Sequence, residues 1–190
     1  VTRGGGRESE EGGVGVRGGE EGVLDARLSG RDALAIVPTG AGKCICYQVP
    51  ALLLPGITLV VSPLVSVMRD QVTQLVQMGI PAAFLNSSLT FQQYLLALSR
   101  AKEGRYKIIY VAPERLETEG FQSFAEAADI SLVAVDEAHC ISQWGQDFRP
   151  SYLNIPAFVE GLKSRPPLGA FTATATPEVR EDIEHLLSLR

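Results

Sequence analysis

Hydrophobic positions along this chain fall into short runs separated by longer amphipathic stretches, and the two kinds alternate from residue 33 onward. The runs at 33–37, 57–62, 82–85, 107–111, 132–135 and 168–172 show no helical periodicity and are bounded by polar residues, Gly or Pro, as buried strands are. The stretches at 42–54, 63–78, 90–101, 121–127 and 155–162, and one from 176 onward, read as helices. Ser62-Pro63 and Thr176-Pro177-Glu178 each read as an N-cap followed by Pro at the first helical position, and Gly79 stops the helix that Ser62 opens. Residues 136–154 read as a long irregular loop, and a weak helix is expected over 23–28, ending at Gly30. Strands alternating with helices give an α/β fold: a mostly parallel central sheet with helices on both faces.

Composition changes the picture at one end. Residues 1–22 hold nine of the 19 glycines, mixed with Glu8, Glu10, Glu11, Glu20 and Glu21. Such a segment buries too little to offset its ordering entropy, so a disordered tail (1–22) and one domain (23–190) are expected. With 45% hydrophobic and 21% charged residues the remainder is globular. A net charge of -5 excludes a whole-surface basic field, so any nucleic-acid contact rests on local sites. Cys44, Cys46, Cys140, His139 and His185 are too few and scattered for a zinc site, and fit reduced thiols in a cytoplasmic compartment. Charge vanishes between Lys43 and Arg69, but Pro50, Pro55, Gly56 and Pro63 break that segment, so no membrane span is expected. The Gly- and Glu-rich start is unlike a secretory signal.

Two stretches carry candidate chemistry. Asp136 and Glu137 are adjacent carboxylates at the carboxyl end of the 132–135 run, where open α/β sheets place ligands. Pro38-Thr39-Gly40-Ala41-Gly42-Lys43 links a strand to a helix, the setting in which backbone N–H groups and a helix N-terminus cradle phosphate and a Lys reaches the terminal phosphates. Taken singly, a solvated strand-end turn and an ordinary Gly-rich turn explain them; together they favour a nucleotide and a metal. Cys44 stands where such loops carry Ser or Thr, and Val37 where they begin with Gly. Mg2+ prefers oxygen, so Cys44 is at best a weak metal ligand, and Asp136 is expected to hold Mg2+ largely through water.

With both stretches in view, residues 31–190 resemble the first RecA-like motor domain of a superfamily-two helicase of the RecQ family. Val37–Lys43 resembles its motif I, and Val61-Ser62-Pro63-Leu64 with Met68, Asp70 and Gln71 its motif Ia. Tyr110-Val-Ala-Pro113-Glu114-Arg115-Leu116 is similar to a strand-end motif along the DNA path, Asp136-Glu-Ala-His139 to motif II, and Thr172-Ala-Thr174-Ala-Thr176 to motif III. Cys140-Ile-Ser-Gln143-Trp144-Gly-Gln146-Asp147-Phe148-Arg149-Pro150 resembles the family's aromatic-rich loop, which couples DNA contact to ATP hydrolysis. Gln146 stands where the family often has His.

The resemblance implies ATP and Mg2+ as cofactors, with Thr39, Gly40, Ala41, Gly42, Lys43 and Cys44 around the phosphates. It implies Asp136 on the metal and Glu137 on the attacking water, with His139 and Gln143 relaying to the loop. It implies Ser62, Pro63, Met68, Trp144, Phe148, Arg149 and Thr174 along the DNA. Trp144, the only Trp, reads either as a core plug or as an exposed base-stacking ring, and its polar surroundings favour the latter. Val16-Arg17-Gly-Gly-Glu20 falls where the family recognises adenine with Phe-Arg-x-Gly-Gln; Glu20 cannot donate as an amide does, and an acidic tail explains it as well. The implied partners are single-stranded or junction DNA and a second RecA-like lobe, without which a lone lobe barely hydrolyses ATP and unwinds nothing. The competing class is a degenerate, non-catalytic nucleotide- or DNA-binding module; a P-loop kinase or transport ATPase leaves residues 144–150 unexplained.

Overall fold

The computed structural model describes Gly22, Asp25, residues 28–38 and residues 42–190. Strands β1 (Ala33–Ile36), β2 (Ile57–Val61), β3 (Ala82–Leu85), β4 (Ile108–Val111), β5 (Ile130–Val135) and β6 (Leu168–Thr172) form one sheet in the order β1-β6-β5-β2-β4-β3. Every pairing is parallel. Such a sheet is covered on both faces, which is why β2, β4 and β6 are buried at every position and read as continuous apolar runs.

The cover comes from α1 (Gly42–Leu53), α2 (Val65–Gln77), α3 (Phe91–Lys102), α4 (Glu119–Ala127), α5 (Ile155–Glu160) and α6 (Pro177–Leu186). On one face, Tyr47 and Ala51 of α1 and Met68 and Leu75 of α2 pack on Val60, Tyr110, Ala134 and Phe171. On the other, residues of α3 to α6, among them Leu98, Phe124, Val159 and Ile183, pack on Leu59, Val61, Val133 and Val135. Val133 and Val135 thus face away from Leu132 and Ala134, the two-residue alternation of a strand.

The expected elements are present, with instructive differences. The helix expected from Pro63 opens at Val65 with Leu64 as its N-cap and no side-chain cap. Ser62 is not a cap, because its N–H donates to Val111 O at 3.1 Å and prolongs the β2 ladder. Its buried hydroxyl has no hydrogen-bond partner among the described residues. Thr176, free of any ladder, does cap α6, accepting from Val179 N–H at 3.3 Å. The irregular loop contains two 3-10 turns, Ala138–Ile141 and Pro150–Asn154. Asp25 and Leu28 are helical, and Gly30 turns out of that helix at φ +76°. The tail expected at 1–22 lies, but for Gly22, outside the described residues. No helix among the described residues is long and apolar enough to cross a membrane.

At the amino edge of the sheet, Asp32 ties three segments together. Its carboxylate accepts from Arg165 Nη1 and Nη2 at 3.1 and 2.7 Å, from Leu168 N–H at 2.8 Å and from Arg190 N–H at 2.8 Å. Burial alone would raise its pKa, but the four donors outweigh that and hold it below the ordinary 3.8. A carboxylate whose folded pKa is depressed stabilises the fold above its unfolded pKa, and that stabilisation is lost as pH falls through the folded value. Asp32→Ala is therefore expected to cost about 3 kcal/mol at neutral pH. Urea unfolding across the acid range checks it: the gap between parent and variant should close on acidification, and a constant gap would contradict the assignment.

Candidate active site

The carboxyl ends of β1, β6 and β5 lie side by side, so the residues that follow them share one edge. Asp136 continues β5: its N–H donates to Val61 O at 2.8 Å, and its carbonyl accepts from the buried Tyr152 hydroxyl at 2.8 Å. Consecutive strand residues point to opposite faces. Glu137 escapes that constraint by adopting a left-handed conformation, φ 48° and ψ 47°, so that both carboxylates turn to one cation. Lys43 Nζ, from the first turn of α1, lies 2.9 Å from Asp136 Oδ1 and 2.5 Å from Glu137 Oε1. A left-handed non-glycine residue is costly and persists where its surroundings over-determine it, as catalytic turns do.

The electrostatics follow from burial. The Asp136 side chain is 4% exposed and that of Lys43 11%. Burial raises the Asp136 pKa above the usual carboxylate value, and the Lys43 ammonium pulls it only partly back. Burial also works against the charged Lys43, yet the two carboxylates more than compensate and hold its pKa above the ordinary value. The result is a compact charged cluster with one carboxylate more than its cation neutralises, suited to exchange partners when phosphate or a metal arrives.

β6 stands between β1 and β5, which explains how motif II meets the threonine motif. His139 Nδ1 is 2.9 Å from Thr172 Oγ1 and 3.5 Å from Glu137 Oε2. Thr172 Oγ1 donates in turn to Thr174 O at 3.0 Å. Cys44 is half-buried beside Lys43, its sulfur accepting from Tyr47 Oη at 3.4 Å. Burial raises the Cys44 pKa, so it presents a neutral thiol already engaged from the core side. The expectation of even weak metal ligation by Cys44 fits poorly with that donor.

Trp144 is 78% exposed, which excludes a core plug. Phe148 is half-buried and Gln143 exposed. Arg149 Nε and Nη2 donate to Asp147 Oδ2 at 3.2 and 3.1 Å, and Nη1 to Pro63 O at 3.4 Å, so the loop meets the segment after β2. Gly145 permits the loop to double back, because a Cβ there would lie 2.8 Å from His139 O. Thr174 is exposed, consistent with a surface contact. Ser62 and Met68 are corrections: both side chains are fully buried, Met68 between α2 and the sheet, and neither reaches a surface ligand. Arg17, Glu20, Thr39, Gly40 and Ala41 lie outside the described residues.

Sequence reasoning missed Tyr152 and Asp182. Tyr152 has no periodic signal in an irregular loop, and Asp182 resembles any carboxylate on a charged helix. Ser142, the buried partner of Asp182 at 2.6 Å, sat unremarked inside the aromatic-rich stretch.

Comparison with known proteins accords with this geometry. The DEAD/DEAH box helicase family pattern matches residues 20–183. The chain is 51% identical over 161 residues to the ATP-dependent DNA helicase RecQ of Bacillus subtilis, covering 85% of the chain and 27% of that protein. It is 48% identical over 177 residues to the RecQ of Pasteurella multocida, covering 92% of the chain and 27% of that protein. The chain thus spans about a quarter of the length of these relatives. A hypothetical ATP-dependent RNA helicase from Sulfolobus tokodaii superposes with a TM-score of 0.70 at 20% identity, over 93% of this chain and 52% of that one. Mycobacterium smegmatis Lhr, bound to ssDNA and AMP-PNP, superposes with a TM-score of 0.67 at 19% identity, over 88% of this chain and 24% of that one. At those identities the likeness establishes a shared RecA-like fold.

Removing the ammonium would leave two carboxylates together without a counter-charge. Lys43→Met is expected to lower stability by about 3 kcal/mol at mildly alkaline pH. The loss should shrink as pH falls, because a carboxyl with a raised folded pKa regains stability on protonation. Denaturant unfolding at two pH values checks this; equal losses at both would contradict it.

Proposed function

The chain belongs to the DEAD/DEAH box helicase family, and on that premise we propose that residues 23–190 are the ATP-binding lobe of a RecQ-type DNA helicase. The observation that carries the proposal is Lys43 bridging Asp136 and Glu137 at the carboxyl edge of the sheet. Phosphate and the two carboxylates compete for one ammonium. With Lys43 drawn to a triphosphate, Asp136 would be free to hold the metal and Glu137 to orient the attacking water, and His139 would link that change to Thr172. Catalysis of this kind is positioning and electrostatic stabilisation. Mg2+ would supply charge neutralisation at the phosphates. Asp136 offers it hard oxygen donors; Cys44 offers none, and among the described residues no cluster of His, Cys, Asp and Glu would hold a metal unaided.

The substrate we propose is single-stranded or junction DNA, read without base specificity by Trp144 and Phe148 stacking and by Arg149, Pro63 and Thr174 along the backbone. Turnover requires a second RecA-like lobe closing on the nucleotide, and a cytoplasmic or nucleoid location fits these partners. One observation favours a second reading, a non-catalytic module: Cys44 replaces the hydroxyl that Mg2+ would prefer.

ATPase assays with and without single-stranded DNA, and with and without an added second lobe, separate the two. The helicase reading expects DNA-stimulated turnover once the lobe is supplied, abolished by Trp144→Ala; no turnover in any combination favours the module. Titration of a fluorescent ATP analogue is expected to show Cys44→Ser raising Mg2+-dependent affinity about tenfold over the parent. Equal affinities would show that the thiol is no handicap.

A further inference from the structure

The aromatic-rich loop is held from a direction that motif II does not supply. Ser142 is fully buried at its base. Its hydroxyl donates to Asp182 Oδ2 at 2.6 Å and accepts from Trp144 N–H at 3.1 Å. Asp182 is on α6, the helix that Thr176 caps directly after the threonine motif. We infer that Asp182 is a positioning residue, fixing the Ser142 hydroxyl as the acceptor that sets Trp144 and so tying the exposed ring to the helix after motif III.

Three facts carry the inference. A serine hydroxyl has one proton, and the carboxylate claims it, which leaves the lone pairs turned toward Trp144 N–H. Hydrogen bonds to ionised acceptors are short and strong, as the 2.6 Å separation reflects. A second path also ends at the same loop. Glu137 O accepts from Cys140 N–H at 2.9 Å, and His139 O from Ser142 N–H at 3.1 Å, so motif II reaches Ser142 along the backbone. The other path runs from His139 through Thr172 and Thr174 to α6 and Asp182. Ser142 is where the two meet, and Trp144 is two residues beyond. A shift of either motif relative to the other must move or loosen that ring.

The inference rests on the reading of Trp144 as a DNA contact, and its test keeps the two apart. Because the chain has a single Trp, its emission reports this loop alone. In the full chain, Asp182→Ala is expected to lower Trp144 fluorescence anisotropy and weaken oligo-dT binding about fivefold, the loss of one hydrogen bond. Asp182→Asn keeps an oxygen for Ser142 and should recover most of both. Ser142→Ala removes that bond together with the acceptor for Trp144 N–H, so the double variant should lose no more than Ser142→Ala alone. Should Asp182→Ala unfold, Ser142→Ala carries the anisotropy test unaided. Unchanged anisotropy on breaking the bond, or additive losses in the double variant, would overturn the inference. Unchanged oligo-dT binding by Trp144→Ala would instead sink the DNA reading, with the anisotropy result still deciding the role of Asp182.

Discussion

One ammonium between two carboxylates, all of them largely removed from water, is the constraint around which the carboxyl edge of this protein is built. Neither partner is tolerable alone: burying an unpaired charge costs several kcal/mol. Lys43 must therefore sit where β1 hands over to α1, Asp136 must stay in register with Val61, and Glu137 must accept a left-handed backbone to face the same cation. The parallel sheet makes this possible by bringing the carboxyl ends of β1, β6 and β5 side by side. The same order inserts Thr172 between the two charged segments, where it meets His139.

The thiol at Cys44 belongs to a second network. Gln48 Nε2 donates to Gln71 Oε1 at 3.0 Å and to Tyr110 Oη at 3.2 Å, Tyr110 donates to Tyr47 at 3.4 Å, and Tyr47 to Cys44 Sγ at 3.4 Å. Burial raises both phenols, Tyr110 to about 12, so they remain donors. The sulfur terminates a chain of hydrogen bonds that begins on α2, the helix after Ser62 and Pro63. That gives the departure from the usual hydroxyl a structural role on the core side.

Much of this was legible beforehand, for identifiable reasons. Strands buried on both faces must be apolar throughout, so 57–62, 107–111 and 168–172 declared themselves. Thr176-Pro177-Glu178 marked a helix start because nothing competes for its backbone. Ser62-Pro63 carried the same local signal and failed, because a neighbouring strand held Ser62 in the ladder. The Lys43–Asp136–Glu137 cluster was readable because charge at strand ends demands a partner. Met68 misled because a motif position says nothing about which way a helix faces. The contacts of Asp32, Tyr152 and Asp182 were invisible in principle: each joins segments far apart in the chain through single side chains with no periodicity.

The most direct test of the account is a crystal structure of this chain with Mg2+ and a non-hydrolysable ATP analogue. Lys43 Nζ is expected on the terminal phosphates, with Asp136 and Glu137 released from it and Asp136 turned toward the metal. A triphosphate bound elsewhere, with Lys43 still bridging both carboxylates, would contradict it.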